Sequence, residues 1–377
     1  TNTTGASNVA LGAYALDANT TGAENVANGY QSLSSNTTGS YNAALGGGAL
    51  FGNTAGDYNI AIGKNALRSN TTADNNTAVG SSALYANTTG ASNTAVGHNA
   101  LDANTTGAEN VATTGGSNVG IGFDALYYNT TASYNVAVGR AALAANTTAS
   151  NNTAVGYYAL NANTTGAGST AVGHQSRAGS DTESHYTTSV GYRSLYLNSA
   201  TTANAGYSTA LGTDALNAAS LTTGAIPNTV AVGYRALFLN AGTTANASYS
   251  VALGANALNA GSSTTASLSN NVAVGYEALK VAANTTGAIT ENVAIGREAL
   301  KCNASTTTNI RYNTAVGFHA LEVNATDNNT AVGHNSGLLV TSGHSNTFIG
   351  SDSGGNITTG DSNIIIGKGI DAASATA

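Results

Sequence analysis

The sequence predicts an all-β protein, a parallel β-solenoid built from coils of about 17 and 21 residues. Three observations support this fold class: a glycine that recurs at a fixed step, an alternation of large and tiny residues before it, and an asparagine-rich turn after it. A period this short indicates stacked repeats, in which each coil buries its faces mainly against its two neighbours. Positions within a coil are counted from the repeat glycine, which is position 0.

The repeat glycine follows two periods along the chain. Its step is about 17 residues in the first half, and it lengthens to about 21 residues from Gly191 to Gly317. The last three steps return to about 16 or 17 residues. Repeat glycines of both periods include Gly12, Gly63, Gly97, Gly156, Gly233, Gly275 and Gly317.

These steps predict how the chain is divided. The coil after Gly97 is irregular near 110–122, because the repeat phrase begins at Asn110 and restarts at Asn118, and we expect a local bulge or offset there. The first predicted segment, 1–177, has the shorter coils, and an irregular coil follows over 178–190. The segment 191–317 has the longer coils, and 318–377 forms terminal coils in which the short period returns.

The residues just before the glycine predict a short β-strand. Positions −3 and −1 are branched or aliphatic and position −2 is alanine, as in Ile60-Ala61-Ile62. Alternation with a period of two places large and tiny side chains on opposite faces of a strand. We expect the tiny face to line a thin coil and the branched face to need a partner surface. An asparagine at −4, such as Asn59 or Asn292, precedes the strand.

A second segment follows the glycine. Leucine recurs at +4, and asparagine at +7 opens an Asn-Thr-Thr-Gly turn, so we expect a leucine spine, tight turns and hydrogen-bonded asparagine stacks. Two short strands and two turns per coil would stack at about 4.8 Å per coil. Helices are not expected, because apolar residues do not recur at helical spacing. Leucines of the predicted spine include Leu67, Leu101, Leu237 and Leu279.

Composition excludes several classes of protein. Only 8% of residues are charged, the formal net charge is −7 and there is no basic run, so nucleic-acid binding is not expected. No apolar stretch is long enough for membrane insertion. The single cysteine, Cys302, excludes an internal disulfide, and we interpret it as a small apolar residue or a surface thiol. No cofactor and no metal site are expected.

The phrase Asn-x-Val/Thr-Ala-Val/Ile-Gly-x-x-Ala-Leu resembles the head repeats of YadA-like trimeric autotransporter adhesins. It is carried here by Asn59–Gly63 and Asn292–Gly296, while the Asn-Thr-Thr-Gly turns look like arrays in phage tail-fibre proteins. The resemblance implies a left-handed β-roll and a homotrimer whose branched residues surround a threefold axis. The longer coils and the absence of a visible neck or membrane anchor favour a viral or filament source.

Two groups of residues are candidate ligand-binding sites. One group crowds the coil where the period changes, and predicts either a receptor or metal site or a solvated loop. Tyrosines after the repeat glycine predict either a glycan-binding ladder or packing between chains. Histidines at +1 (His98, His174 and His334) are either ion ligands at a threefold axis or isolated imidazoles. The candidate residues are His174, Arg177, Asp181, Glu183 and His185 in the first group and Tyr157, Tyr192, Tyr234 and Tyr276 in the second.

The function expected from these features is a structural or adhesive fibre shaft on a virion or cell surface, without catalysis. Its loops would bind a surface, a cell-surface glycan or a receptor, and shafts could join end to end into a filament. Two alternatives remain open. An ice-binding solenoid would fit the low charge and high threonine content, and a β-helical polysaccharide-cleaving enzyme would need paired carboxylates, whereas the 18 acidic residues are scattered singly along the sequence.

Overall fold

The computed structural model divides the chain into two compact units, Thr1–Ala178 and Gly179–Ala377. Each unit is a parallel β-solenoid, and within the described residues there are strands and turns but no helix. That part of the chain accordingly offers no helical segment with the length and apolarity to cross a membrane. The structure describes residues 2–104, 116–179, 184–197, 205–218, 226–239, 246–260, 267–281, 287–302 and 309–370.

The first unit has one short strand per coil, placed where the repeat phrase predicts it. Consecutive strands pair in parallel and in register, so that Ile60 lies opposite Thr77 and Ala61 opposite Ala78. The strands are β1 (Val9–Leu11), β2 (Val26–Asn28), β3 (Ala43–Leu45), β4 (Ile60–Ile62), β5 (Thr77–Val79), β6 (Thr94–Val96), β7 (Val119–Ile121), β8 (Val136–Val138), β9 (Thr153–Val155) and β10 (Thr170–Val172).

The irregular coil leaves the strand ladder of the first unit unbroken. Strand β6 pairs directly with β7, with Thr94 opposite Val119, although this step along the chain is longer than in any other coil of the unit. The −4 asparagines also connect across this step, because the backbone nitrogen of Asn118 donates to Oδ1 of Asn93 at 3.1 Å. The ladder itself therefore carries no offset, and residues 105–115 lie outside the described part of the chain.

The second unit repeats this arrangement with longer coils. Its main sheet is again parallel and in register, and the long step from β11 to β19 shortens afterwards. Two additional strands, β16 and β18, form a separate pair. The strands are β11 (Thr188–Val190), β12 (Thr209–Leu211), β13 (Val230–Val232), β14 (Val251–Leu253), β15 (Val272–Val274), β16 (Ile289–Thr290), β17 (Val293–Ile295), β18 (Ile310–Arg311), β19 (Thr314–Val316), β20 (Thr330–Val332), β21 (Thr347–Ile349) and β22 (Ile364–Ile366).

Small residues and one leucine form the thin core that the shorter and the longer coils share. Alanines at −2 and +3 and the leucine at +4 are fully buried, as Ala61, Ala66 and Leu67 illustrate. The same burial is found at Leu101, Leu237 and Leu279. The predicted leucine spine and the inward position of the tiny strand face are both confirmed.

The repeat glycine is required for two reasons. Its φ lies between +127° and +142° along both units, a region that residues with a side chain rarely adopt. A Cβ on Gly12 would also lie only 2.7 Å from the carbonyl oxygen of Gly29 in the next coil. The strand therefore ends at a glycine whose backbone lies directly against that of the equivalent glycine in the next coil.

We expected the segment after the repeat glycine to form a second β-strand in every repeat, and this prediction was wrong. Residues at +2 and +4 have left-handed backbones, and the leucines at +4 have φ between 49° and 54°. Left-handed residues cannot extend a β-ladder, although this segment still bonds to the next coil, for example from Leu67 N to Ala83 O at 2.9 Å. Among the described residues, only those of the second unit form bridges, such as Leu239 to Ala260, that make a second ladder.

Two columns of buried asparagine hold the shorter coils together. In the +7 column, Nδ2 of Asn53 donates to Oδ1 of Asn36 at 2.9 Å, and Asn70 donates in turn to Asn53 at 2.8 Å. In the −4 column, Oδ1 of Asn42 accepts from the backbone nitrogen of Asn59 at 2.9 Å. The predicted asparagine stacks are confirmed, and they satisfy buried polar groups in most coils, although Nδ2 of Asn76 in the −4 column has no hydrogen-bond partner among the described residues.

The longer coils of the second unit have additional apolar contacts in the core. Position +6 points inward there and is occupied by residues such as Leu239, Val281 and Cys302, while position −7 carries Ile289 or Ile310. The longer coil therefore encloses a wider apolar core. These additional aliphatic side chains accompany the change of period, and the +7 positions of the longer coils lie outside the described residues.

Candidate binding surfaces

An apolar stripe runs along each unit, formed by the valine, leucine and isoleucine side chains at −3 and −1, with threonine at many −3 positions and Asn28 at one −1 position. Ile60 and Ile62 are 41% and 40% exposed, whereas Ala61 between them is buried. Among the described residues, nothing within either unit covers these side chains. The larger exposed members are Val9, Leu11, Val26, Leu45, Ile60, Ile62, Val96 and Ile121 in the first unit, and Val190, Leu211, Ile295, Val332, Ile349, Ile364 and Ile366 in the second.

A ladder of flat side chains at +1 lies beside the stripe. In the first unit, the rings of His98 and Phe123 stack at 5.4 Å, and the guanidinium of Arg140 lies 5.5 Å from the Phe123 ring. Arg140 also lies 5.9 Å from the ring of Tyr157, which stacks on His174 at 4.9 Å. Because the groups stack along the solenoid axis, the ladder presents ring edges outward.

The tyrosines predicted to bind glycans belong to this ladder or to its counterpart in the second unit. Arg297 lies 5.8 Å from the ring of Tyr276, and Arg235 lies 5.2 Å from the ring of Tyr234. Tyr192 is exposed, as are the other three. Neighbouring groups therefore contact ring faces of Tyr157, Tyr234 and Tyr276, and glycan binding by this column stays a prediction.

The charged group predicted at the change of period is divided between the two units. His174 and Arg177 belong to the first unit and exposed His185 to the second, while Asp181 and Glu183 lie outside the described residues. Arg177 takes the place of the spine leucine and is only 3% exposed. Its Nη1 donates to Oδ1 of Asn163 at 3.2 Å, so this side chain is part of the core.

A polar face occupies positions +2 and +5, whose side chains meet in many coils. Nη1 of Arg68 donates to Asn65 at 3.1 Å, and Nδ2 of Asn217 donates to Asp214 at 2.9 Å. The residues at these positions differ widely in chemistry from coil to coil. The polar face is therefore where individual coils can carry individual properties.

Ion pairs connect consecutive coils on the polar face of the second unit. Nζ of Lys301 lies 2.7 Å from Glu277 and 3.0 Å from Glu298. Hydrogen bonding from Lys301 lowers the pKa of the Glu298 carboxyl. Burial opposes the same change at Glu277, but hydrogen bonds from Lys280 and Lys301 still lower the pKa of that carboxyl. The sequence did not reveal this ladder, because its members come from different coils.

The ion-pair ladder continues to a histidine. Nδ1 of His319 lies 3.0 Å from Glu322, and its Nε2 lies 3.8 Å from Glu298. Together these three residues could offer one nitrogen and two oxygens to a cation. Lys301 already neutralises Glu298, however, and Nε2 of His319 is buried with no hydrogen-bond partner among the described residues.

Two carboxylates that looked isolated in the sequence become neighbours on the polar face of the first unit. Burial, and then the charge of Asp124, raise the pKa of the Asp102 carboxyl, while His98 opposes the change. The charge of Asp102 in turn raises the pKa of the Tyr127 phenol. Acidic residues are therefore not all single in space, although they are scattered along the sequence.

A groove of about 450 Å³ opens beside this pair. One wall carries Asp124, Tyr127 and Tyr128, and the opposite wall carries Tyr158 and Asn161. We call it the tyrosine groove. Asn99 borders one end, and the floor consists of Ala141 and Ala144.

The single cysteine and the turn threonines are both engaged within the solenoid. Cys302 is buried in the +6 column, where burial raises the pKa of its thiol to about 12, which agrees with the interpretation as a small apolar residue. Turn threonines use their hydroxyls between coils, since Oγ1 of Thr37 donates to the carbonyl of Thr54 at 2.9 Å. Thr20 and Thr54 bond in the same way. These hydroxyls are therefore already engaged within the solenoid.

Comparison with known proteins adds no family to this description. No family model matches the sequence, and no curated protein matches it.

Proposed function

We propose that the chain is the shaft of an extracellular fibre, structural or adhesive in role, in which three copies pack side by side along their apolar stripes. In this proposal each copy is a left-handed roll, similar to YadA-like heads and phage tail fibres. The fibre belongs on a virion or cell surface, contacts a surface or glycan, and performs no catalysis.

The apolar stripe is the observation that carries the proposal. The exposed members of the stripe in the first unit, most of them near 40% exposed, amount to an area on the order of 600 Å², at the upper end of the roughly 300–600 Å² of the largest patch on a typical monomer. Closed cyclic symmetry would bury identical stripes against one another without leaving one uncovered. The stripe also contains no charged residue at the positions named above, which favours contact between copies.

Native mass spectrometry of the full chain tests this proposal, together with negative-stain imaging. The expected result is an assembly of three 37.0 kDa chains with an elongated shape. Glutamate in the stripe would place a charge in the interface, so Ile62→Glu is expected to give single chains. Tyr85→Glu, on the polar face, is the matched control and should leave the assembly intact. A wild-type chain that stays monomeric at micromolar concentration would overturn the proposal.

A further inference from the structure

The tyrosine groove exists because one coil lacks side chains that its neighbours have. At position +5, the coil of Gly139 has Ala144, whereas the coils on either side have Tyr127 and Asn161. At +2 the same coil has Ala141 between Asp124 and Tyr158. Missing side chains in one coil separate the walls by two coil spacings, or about 9.6 Å.

The groove combines flat apolar surfaces with unused hydrogen-bonding groups. Tyr127 and Tyr128 meet edge to face, with ring centres 4.6 Å apart, so the two rings present differently oriented surfaces. Oδ1 of Asp124 accepts a long hydrogen bond of 3.4 Å from Asn99. Within the described residues, no protein donor is found for the other oxygen of this carboxylate or acceptor for the three groove phenols.

The charge of the groove limits which ligands it can bind. Asp124 lines it and Asp102 lies beside it, and the described lining residues include no cation. A phosphate, sulfate or carboxylate would therefore be repelled. A neutral ligand rich in hydroxyls would instead donate to the carboxylate, which accepts only, and exchange hydrogen bonds with phenol and amide groups.

We propose that the tyrosine groove binds a neutral pyranose unit of a glycan. The C–H face of the sugar packs on the tyrosine rings, and its hydroxyls donate to Asp124 and to Oδ1 of Asn161, whose Nδ2 already donates to the carbonyl of Ala141 at 3.0 Å. A volume of about 450 Å³ lies within the range of small-ligand sites and accommodates one or two sugar units. This assignment names a ligand class for the proposed adhesive fibre. It rests on the proposed function only in placing the glycan on the surface to which the fibre attaches.

The groove is built by a single chain, which separates the two proposals. Sugar binding by a monomeric protein would refute the trimeric fibre and leave the assignment of the groove intact. A trimer that binds no neutral sugar would refute the assignment of the groove and leave the fibre proposal intact. The site is also different from the +1 tyrosine column, because none of the groove residues occupies that position.

Saturation-transfer NMR of the full-length chain with maltotriose, cellotriose and triacetylchitotriose tests the assignment, with 3′-sialyllactose as the anionic comparison. We expect saturation transfer to at least one neutral trisaccharide and none to sialyllactose. Signal from sialyllactose alone, or no signal from any neutral probe at several millimolar, would overturn the proposal.

Substitutions locate the binding within the groove. Ala144→Tyr fills the floor with a side chain that +5 accepts elsewhere, at Tyr85 and Tyr127, and should weaken binding at least tenfold. Ser34→Tyr makes the same change at +5 of another coil and should leave binding unchanged. Asp124→Asn should weaken binding about tenfold, since hydrogen bonds to charged groups are the stronger ones. Asp214→Asn is its control at +2, and binding that survives Ala144→Tyr would refute the site.

Discussion

Arg177 donates from Nη1 to Oδ1 of Asn163 at 3.2 Å, and thereby supplies the donor that an asparagine of the next coil supplies elsewhere in the column. One coil earlier, for example, Oδ1 of Asn146 accepts from Nδ2 of Asn163 at the same distance. The guanidinium thus ends the +7 column of the first unit. An arginine at a leucine position is therefore held by a bond to the last amide of the column.

Replacing Arg177 should therefore destabilise the first unit. Arg177→Ala leaves a cavity at a side chain that is 3% exposed and removes the donor of Asn163, so we expect a loss of about 3 kcal/mol in unfolding free energy. Urea denaturation followed by circular dichroism measures the change. Arg140→Ala, which removes an exposed arginine of the +1 ladder, should cost less than about 1 kcal/mol. Equal urea midpoints for the two variants would contradict this account.

Alanine at a repeat glycine should lower stability far more than alanine at a glycine outside position 0. Gly156 has φ of +133°, and a Cβ there would lie 2.7 Å from the carbonyl carbon of Gly173. We expect Gly156→Ala to cost more than about 4 kcal/mol or to prevent soluble expression. Gly47 is the matched control, because the nearest atom to its Cβ would be 3.8 Å away. Gly47→Ala should keep the wild-type melting temperature within a few degrees.

The sequence predicted the strand and the asparagine stacks because both depend on residues that recur at the same position in coil after coil. Ile60, Ala61 and Ile62 alternate in size, and that alternation determines which side chains point inward. The left-handed backbone at Leu67 could not be predicted, since leucine disfavours it by itself and accepts it only because burial in the spine compensates. A strand was therefore expected where the chain makes a series of turns.

The tyrosine groove was hidden from the sequence for a different reason. Its two walls come from coils that lie on either side of a third, and Asp102 and Asp124 become neighbours only because β6 pairs with β7 across the irregular coil. The sequence alone does not show how many residues of that coil lie outside the strand ladder. The apolar stripe, in contrast, was predicted, because it follows directly from the repeating phrase.

The ion pairs of the second unit should make its stability depend on pH at the acid end. The pKa of Glu298 is lowered in the folded state, so its contribution is present above the unfolded pKa of about 4.3 and is lost as pH falls through the lower folded value. Lys301→Met should lower the unfolding free energy by about 1 kcal/mol at pH 7, after allowance for solvent screening. The difference from wild type should shrink as pH approaches 3.

Thermal denaturation at several pH values measures this dependence. Lys64→Met removes an exposed lysine of the first unit and should change stability at no pH. A Lys301→Met deficit that is as large at pH 3 as at pH 7 would show that the lysine acts through packing and not through charge.

A charge inside the asparagine column should be tolerated only when it is neutralised. Asn53 donates from Nδ2 to Asn36 at 2.9 Å and to the carbonyl of Gly56 at 3.0 Å, while its Oδ1 accepts from Asn70 at 2.8 Å. Asn53→Asp keeps the acceptor but replaces the donor by a carboxylate that faces two oxygens. We expect a loss of about 3 kcal/mol at pH 7, because a buried ion without a cation partner is strongly destabilising.

The sign of the pH response distinguishes burial of an unpaired charge from a loss of side-chain packing. Burial raises the pKa of a carboxyl group, so the protonated form becomes stable as pH falls and its O–H can donate to Asn36 in place of the lost amide. The stability of Asn53→Asp relative to wild type should therefore recover between pH 7 and pH 4. Asn65→Asp, on the polar face beside Arg68, should instead be nearly neutral at pH 7 and lose any benefit on acidification. Urea titrations of both variants at pH 7 and pH 4 would decide between these opposite slopes, and parallel slopes would mean that the column is not held by amide-to-amide bonds.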